Sequence, residues 1–309
     1  SDFTGSGSAA ADVRKADHHA EYMGFVELLE HNHILFDSID DLSIDRKINQ
    51  YELIVLPSCA AMSDANKKSI LDYVKNGGTV VASFHNGLYD EYCEKMDTEF
   101  MNQLFGIDYK GDVNRNGEIN YMKIDQNRFP DIETPCQTPD LKMDITLRSA
   151  EGICYFYTEN KGNYKELKGL EHPAITVNKL GEGHSVLFAG TIGQCYLNTK
   201  NKKLCQLFGC ITSEYATPLI KTNSPKCVEM TLRKQGDRYI LHVINHALDG
   251  CRPADSTIPL YNLTFDVMVG KPLTAAKALK GEKVTLLPTE TGARILLEEL
   301  NSYSVIVLD

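Results

Sequence analysis

A strand–helix–strand pattern over residues 51–91 constrains the fold of this chain more than any other stretch. Residues 53–56 and 79–84 are short apolar runs without alternation, which is typical of strands buried on both faces of a sheet. The segment between them, residues 64–76, has the apolar periodicity of a helix. Two strands joined by one helix predict a parallel pair, with functional loops at the carboxyl ends of the strands.

The predicted helix carries its own start and stop signals. Ser63 can cap its first turn, although Asn66 stands where a capping box has glutamate or glutamine. Gly77 and Gly78 can adopt the left-handed conformation that commonly follows a helix. The side chains predicted to pack on the sheet lie three and four positions apart: Ile70, Leu71 and Val74.

The two predicted loops contain polar and reactive side chains. One loop follows the first strand at residues 58–62, and the other follows the second strand at residues 85–91. Because both lie at the carboxyl edge of the sheet, we expect them to be available for a subunit or interdomain contact. The candidate contact residues are Cys59, His85, Asn86, Tyr89, Asp90 and Glu91.

Charge and composition argue against several classes of partner. A formal net charge of −10 is unsuited to nucleic acid or an anionic membrane, since both bind basic surfaces. No apolar run approaches the length of a transmembrane helix. The nine cysteines lack CxxC or zinc-finger spacing, so we expect free thiols in a reducing, cytoplasmic compartment.

Residues 1–215 predict one α/β domain around the central pattern. Its first helix is expected over residues 12–32, followed by a short strand at residues 34–36. The apolar face of that helix is Tyr22, Phe25, Val26, Leu28 and Leu29. Further elements are predicted in chain order: a helix at 100–105, strands at 145–147 and 153–157, a hairpin of 173–177 with 185–189, and a helix from residue 204.

Residues 216–309 predict a separate all-β domain. Residues 228–245 alternate on both sides of a turn at Gln235, Gly236 and Asp237, which predicts a hairpin. Five more short runs follow at the spacing of a β-sandwich: 263–269, 275–279, 283–287, 293–297 and 304–308.

Three segments of the first domain resemble a known family: LIVLPSCAAMSD, YVKNGGTVVASF and GLYDE. They are similar to the glutamine-amidotransferase-like domain, often called the trimerisation domain, that follows the catalytic barrel in bacterial β-galactosidases of glycoside hydrolase family 42. The run KLGEGHSVLFAGTIGQCY resembles the closing segment of that domain, and residues 216–309 resemble the small C-terminal β domain. The resemblance implies a flavodoxin-like parallel sheet whose first strand lies upstream of this chain.

The resemblance also implies an accessory role in carbohydrate metabolism. The chain would support a homo-oligomer, a trimer in the family, and shape the pocket of an upstream catalytic (β/α)₈ barrel. It would catalyse nothing itself, and the barrel would act on the carbohydrate substrate. No cofactor and no metal ion is implied.

Two alternatives stay open, and the first is a stand-alone hydrolase of the amidotransferase superfamily that uses Cys59 or His85. Such enzymes need a nucleophilic cysteine in a tight strand-to-helix turn and a later catalytic histidine. Here the turn reads Ser83, Phe84 and His85, and residues 190–194 lack the expected His-x-Glu. Ser83 and His85 also lack the G-x-S-x-G surroundings of a serine hydrolase. The second alternative is a carbohydrate-binding protein whose β-sandwich holds the sugar.

A stretch at residues 112–120 resembles the start of a calcium-binding loop. Asp112, Asn114 and Asn116 supply oxygen ligands at the first, third and fifth positions. Lys123 stands at the twelfth position, where a bidentate acid normally closes the loop. We therefore expect a polar turn without a bound ion.

Acidic and histidine clusters have simpler interpretations than catalysis or metal binding. Glycoside hydrolysis needs two carboxylates that flank one bond, whereas the acids of residues 90–97 share one polar loop. The histidine pairs lack carboxylate or cysteine partners at a ligand-forming spacing, so we expect surface and helix-end positions: His18 with His19, and His31 with His33.

Overall fold

The computed structural model describes residues 17–114, 120–159, 167–250 and 255–309. None of the described helices is long and apolar enough to cross a membrane. The chain divides into an α/β unit and an all-β unit. The first comprises the described parts of Ser1–Leu28 and Ser38–Ala216, and the second those of Leu29–Asp37 and Thr217–Asp309.

Up to Ala216, the described helices and strands are interspersed over the first part of the chain, a run of strands follows, and two helices end the unit. The helices are α1 (His18–His31), α2 (Ile44–Lys47), α3 (Asp64–Lys75), α4 (Glu99–Phe105), α5 (Ile192–Thr199) and α6 (Lys202–Tyr215), with a 3₁₀ turn at Ile48–Gln50. The strands are β1 (Leu53–Pro57), β2 (Thr79–Ser83), β3 (Ile107–Asn114), β4 (Tyr121–Ile124), β5 (Cys136–Gln137), β6 (Leu141–Leu147), β7 (Glu151–Glu159), β8 (Lys168–Leu180) and β9 (Gly183–Phe188).

Seven strands form one mixed sheet in the order β1-β2-β9-β8-β7-β4-β5. The predicted parallel pair is confirmed, because Leu53 pairs with Thr79 and Pro57 with Ser83 in parallel register. β9 continues the parallel part beside β2, whereas β8, β7, β4 and β5 pair antiparallel. β3 and β6 form a separate antiparallel pair. The sheet is therefore mixed, and not the wholly parallel one implied by a flavodoxin-like fold.

α3 begins and ends where the sequence predicts. Ser63 Oγ accepts a hydrogen bond from the Asn66 amide at 3.3 Å, and Gly77 follows the helix with a φ of +106°. Ile70 and Val74 are fully buried, as predicted. Leu71 is only half-buried, and Tyr73 is buried instead. The Tyr73 hydroxyl donates to the Tyr51 carbonyl at 3.1 Å, which satisfies its polar end.

Three predictions around this pattern are wrong. β1 is not buried on both faces, since only Leu56 among its residues is fully buried. Residues 34–36 form no strand but an irregular segment. In α1, Tyr22 of the predicted apolar face is exposed, whereas the adjacent Glu21 is buried. The apolar periodicity of a helix does not show whether a charged side chain has hydrogen-bond partners in the core.

Other predicted elements of the α/β unit are confirmed. α4 ends at Gly106, which has a left-handed conformation. The hairpin of β8 and β9 turns at Gly181, where an added Cβ would lie 2.6 Å from the Lys75 carbonyl oxygen. That close approach, together with a φ of +64°, requires glycine.

The all-β unit is a sandwich of two four-stranded antiparallel sheets. Its strands are β10 (Ile220–Thr222), β11 (Val228–Gln235), β12 (Arg238–Asn245), β13 (Leu260–Met268), β14 (Ala276–Ala278), β15 (Val284–Thr289), β16 (Gly292–Leu300) and β17 (Tyr303–Leu308). The sheet orders are β10-β13-β16-β15 and β11-β12-β17-β14. Inward-facing apolar residues of both sheets form one core, and Leu35 packs against it. The predicted hairpin and strand series are confirmed.

Candidate contact surface at the carboxyl ends of the parallel strands

The loops after β1 and β2 are bound to each other by backbone hydrogen bonds. The Gly87 amide donates to the Cys59 carbonyl at 2.9 Å, and the Tyr89 amide donates to the Ala60 carbonyl at 3.0 Å. The Met62 amide returns a bond to the Tyr89 carbonyl at 3.0 Å. The predicted contact residues of both loops therefore belong to one connected region, in which His85 and Asn86 are buried.

Asn86 holds the turn after β2 together. This buried side chain donates to the carbonyls of Ser83 at 3.0 Å and Phe84 at 3.2 Å, and it accepts from the Cys59 amide at 3.2 Å. Phe84 has a φ of +49°, a left-handed value that non-glycine residues adopt at a cost. Asn86 thus stabilises a strained turn, and its polar groups are used internally.

His85 is part of a three-residue polar network. Its Nε2 lies 2.8 Å from Asp112 Oδ1 and 3.2 Å from the Tyr109 hydroxyl, which in turn donates to Asp112 Oδ1 at 2.7 Å. The imidazole also stacks on the Phe84 ring at 3.8 Å. Burial and the neighbouring Asp112 charge raise the pKa of Tyr109, so it remains a neutral donor. The network ties the loop after β2 to β3.

Cys59 has no features of an activated nucleophile. Burial raises the pKa of its thiol to about 12, so the thiolate is scarce at neutral pH. The described hydrogen bonds of Cys59 use its backbone, with Asn86 and Gly87 as partners. The hydrolase alternative that relies on this thiol lacks its reactive species.

Ser83 and His85 face different partners rather than each other. The Ser83 hydroxyl donates to Glu21 Oε1 at 2.5 Å, while His85 bonds Asp112. The Glu21 carboxyl also accepts from the backbone amides of Gly193 at 3.1 Å and Gln194 at 2.8 Å. These amides belong to the first turn of α5, so Glu21 caps that helix from a distant part of the chain.

Burial changes the ionisation of Glu21. Desolvation raises the pKa of its carboxyl from 4.5 to about 7, although the hydrogen bonds from Gln194, Ser83 and Gly193 oppose that rise. The buried Ser83 and the buried Glu21, which caps α5, can stabilise the fold, but they do not form a triad with a histidine.

Residues 89–97, which we call the acidic loop, project side chains into solvent. Tyr89 and Asp90 are half-buried, and Glu91 is exposed. Asp90 Oδ1 accepts from the amides of Tyr92 at 2.9 Å and Glu94 at 2.8 Å, which fixes the turn. Tyr92 is 80% exposed at the tip. The loop therefore presents an aromatic ring among carboxylates on a defined backbone.

Metal-ligand geometry is not found in the described part of the chain, where no three His, Cys, Asp or Glu side chains are grouped to hold an ion. Residues 115–119 of the calcium-like motif lie outside the described residues, so the prediction for that loop stays a prediction. Asp112 is hydrogen-bonded to His85 and Tyr109. His33, one of the histidines expected at a helix end, is hydrogen-bonded through Nε2 to the Ser224 carbonyl at 2.9 Å.

Sequence reasoning missed three residues of this region. Glu21 lies in a helix whose pattern predicts an amphipathic surface, Tyr109 lies in no recognisable motif, and Asp112 lies in a stretch that resembles a calcium-binding loop. The partner of Glu21 is Ser83, which lies 62 positions away in the chain. The partner of Tyr109 and Asp112 is His85, which lies 24 and 27 positions away from them, respectively. No local pattern encodes such pairs.

The comparisons with known proteins identify a family and a fold. The family model described as "Beta-galactosidase trimerisation domain" matches residues 8–217. A curated relative, the β-galactosidase BgaA of Planococcus sp. (strain 'SOS Orange'), is 23% identical over 266 residues, which are 81% of this chain and 34% of the relative. The chain thus spans about a third of the length of that relative.

Solved structures share the fold at low sequence identity. The α-L-fucosidase isoenzyme 2 from Paenibacillus thiaminolyticus matches with a TM-score of 0.72 and 16% identity, over 94% of this chain and 45% of that one. The β-galactosidase from Bacillus circulans sp. alkalophilus matches with a TM-score of 0.65 and 18% identity, over 96% and 38%. With the family model covering most of the chain, this protein belongs to the β-galactosidase trimerisation domain family.

Proposed function

We propose that this chain is the non-catalytic oligomerisation region of a β-galactosidase-like glycoside hydrolase. The description of its family supports the role in assembly. Because the chain spans 34% of its curated relative, the proposal assigns carbohydrate hydrolysis to another part of the enzyme, such as a preceding catalytic barrel. Its partners are then two further copies of the chain, which together make a trimer, and that catalytic part.

The observation that carries the non-catalytic role is that Ser83 and His85 are held by partners within the fold, while Cys59 is desolvated. Ser83 is fully buried against Glu21, and His85 is bound to Asp112. Burial keeps the Cys59 thiol protonated at neutral pH. A stand-alone hydrolase needs a nucleophile and a base in contact, and these residues do not supply that pair. The carbohydrate-binding alternative is not favoured by the family match.

The proposal includes three finer points of organisation. The parallel strands β1, β2 and β9 would be the part of a flavodoxin-like sheet that the family retains. Residues 1–215 would serve assembly as one domain, apart from residues 29–37, which belong with residues 216–309 in the second. A reducing cytoplasmic location fits the eight free cysteines among the described residues.

Sedimentation of the purified chain tests the assembly role. We expect a concentration-dependent species of three times the 34.5 kDa mass of one chain. A protein that remains a monomer at every concentration up to the millimolar range would contradict the proposal.

Two activity assays test the non-catalytic role on the same sample. We expect no turnover of chromogenic glycosides and no release of ammonia from glutamine. Glutaminase activity that the Cys59→Ala substitution abolishes would establish the hydrolase alternative instead. A Cys93→Ala variant serves as the matched control, since Cys93 is an exposed cysteine of the acidic loop.

A further inference from the structure

The all-β unit contains a groove between its two sheets. Leu219, Leu232, Tyr239, Met268 and Val269 form an apolar floor, and the cavity has a volume of about 470 Å³. Leu219 is 50% exposed, so part of the floor is open to solvent. The volume falls in the range of binding pockets and can accept a whole aromatic side chain.

Cations surround this floor. Arg233 and Lys234 line the groove directly. The ammonium groups of Lys234 and Lys271 lie 5.9 Å and 5.6 Å from the centre of the Tyr239 ring. Asp37 pairs with Arg233 at 3.1 Å, so the two lysines carry the positive charge that an occupant would meet. We call this site the basic groove, and its chemistry fits an occupant with an apolar ring beside carboxylates.

The acidic loop has the complementary chemistry. Tyr92 projects from its tip, and Glu91 and Glu94 flank the ring as exposed carboxylates. Asp90 is used to fix the backbone, so the flanking acids are Glu91 and Glu94. Cys93 has a φ of +66°, a strained value for a non-glycine residue. A turn fixed by side-chain hydrogen bonds presents the aromatic ring in a defined position, which lowers the conformational entropy lost on docking.

The symmetry of an oligomer determines whether its contacts join identical or different surfaces. A two-fold dimer joins one surface to itself, whereas a closed three-fold ring needs two different surfaces on each copy. The described part of this chain presents a surface of each kind. We propose that the acidic loop of one copy binds the basic groove of the next, with Tyr92 on the apolar floor and Glu91 and Glu94 facing Lys234 and Lys271. The inference rests on the trimer of the proposed function and names its contact.

Charge reversal tests the contact in the full chain. Lys234→Glu with Lys271→Glu, and separately Glu91→Lys with Glu94→Lys, should each raise the concentration at which the trimer dissociates by at least about tenfold. Combining all four substitutions in one chain restores opposite charges and should recover most of that loss. Tyr92→Ala should weaken the trimer to a similar extent, since buried aromatic anchors dominate interfaces.

Matched controls and the wild type separate the possible failures. Lys226→Glu with Lys277→Glu changes two exposed lysines of the same unit, and Tyr261→Ala removes another exposed ring; both should leave the trimer unchanged. Circular dichroism verifies that each variant is folded. If wild type is a trimer that neither charge reversal weakens, the contact is wrong while the proposed function stands. If wild type is always a monomer, the proposed function fails and the contact with it.

Discussion

Glu21 lies outside the apolar face predicted for its helix, yet its side chain is buried. It lies on α1 yet supplies the hydrogen-bond acceptors for the first turn of α5 and for Ser83. Thr191, the residue before α5, makes no side-chain cap of its own. A buried carboxyl therefore replaces a local cap, and its ionisation is coupled to folding.

This coupling predicts that stability falls as the pH rises. In the unfolded chain Glu21 loses its proton near pH 4.5, whereas in the folded chain the pKa is about 7. Between these values the folded state holds more protons, so the free energy of unfolding should decrease by on the order of 3 kcal/mol from pH 4.5 to above pH 7. Urea unfolding across this range measures the effect.

The Glu21→Gln variant removes the ionisable group while it keeps an acceptor for the α5 amides. Its free energy of unfolding should lack this decrease between pH 4.5 and 7. Glu182→Gln, at the exposed turn between β8 and β9, should behave like wild type. Equal pH slopes for wild type and Glu21→Gln would show that Glu21 does not hold its proton in the folded state.

At the scale of elements, the buried side chains of α3 differ from those that its apolar spacing predicts. Ile70 and Val74 are fully buried, whereas Leu71 is half-buried although its spacing fits the same apolar face. Tyr73 takes the remaining buried position because its hydroxyl reaches the carbonyls of Tyr51 and Thr79. A long side chain with a polar end can be buried where a pattern of apolar residues predicts otherwise.

A pair of alanine substitutions measures this difference. Ile70→Ala should cost about 2–5 kcal/mol of unfolding free energy, because it leaves a cavity in a packed core. Leu71→Ala should cost less than about 2 kcal/mol, since part of its side chain already contacts water. Urea unfolding of both variants tests the order, and a larger loss for Leu71→Ala would contradict the packing described here.

At the scale of the whole molecule, the all-β unit includes a segment from the N-terminal part of the chain. Residues 29–37 belong to this unit, and Leu35 packs against the sandwich core. Asp37 pairs with Arg233 of β11 in the same unit. The sandwich therefore depends on residues that the chain contributes far from residues 217–309.

Leu35→Ala should loosen the sandwich selectively. Loss of a half-buried leucine should cost about 1–2 kcal/mol, so amide hydrogen exchange in β13 and β16 should accelerate by about tenfold. Exchange in β2 and β9 of the α/β unit should stay unchanged. Phe36→Ala is the matched control, since Phe36 is exposed. Acceleration in all four strands alike would indicate that the two units unfold together.

Local signals in the sequence account for most of the helices and strands and for the family. The apolar runs of β1 and β2, the capped helix between them and the hairpins at Gly181 and Gly236 follow from periodicity and turn chemistry over a few residues. These signals are local, so they survive without knowledge of the fold. The segments that resemble the trimerisation domain were sufficient to identify the family that its model confirms.

The partners of residues that lie far apart in the chain are visible only in the three-dimensional fold. The burial of Glu21, the network of His85 with Asp112 and Tyr109, and the packing of Leu35 in the sandwich depend on contacts between segments far apart in the chain. The hairpin of β8 and β9 follows from the sequence, but its attachment beside β2 and the pairing of β4 with β7 depend on contacts between distant segments. Side-chain patterns record which faces are buried, but not which distant group satisfies a buried charge.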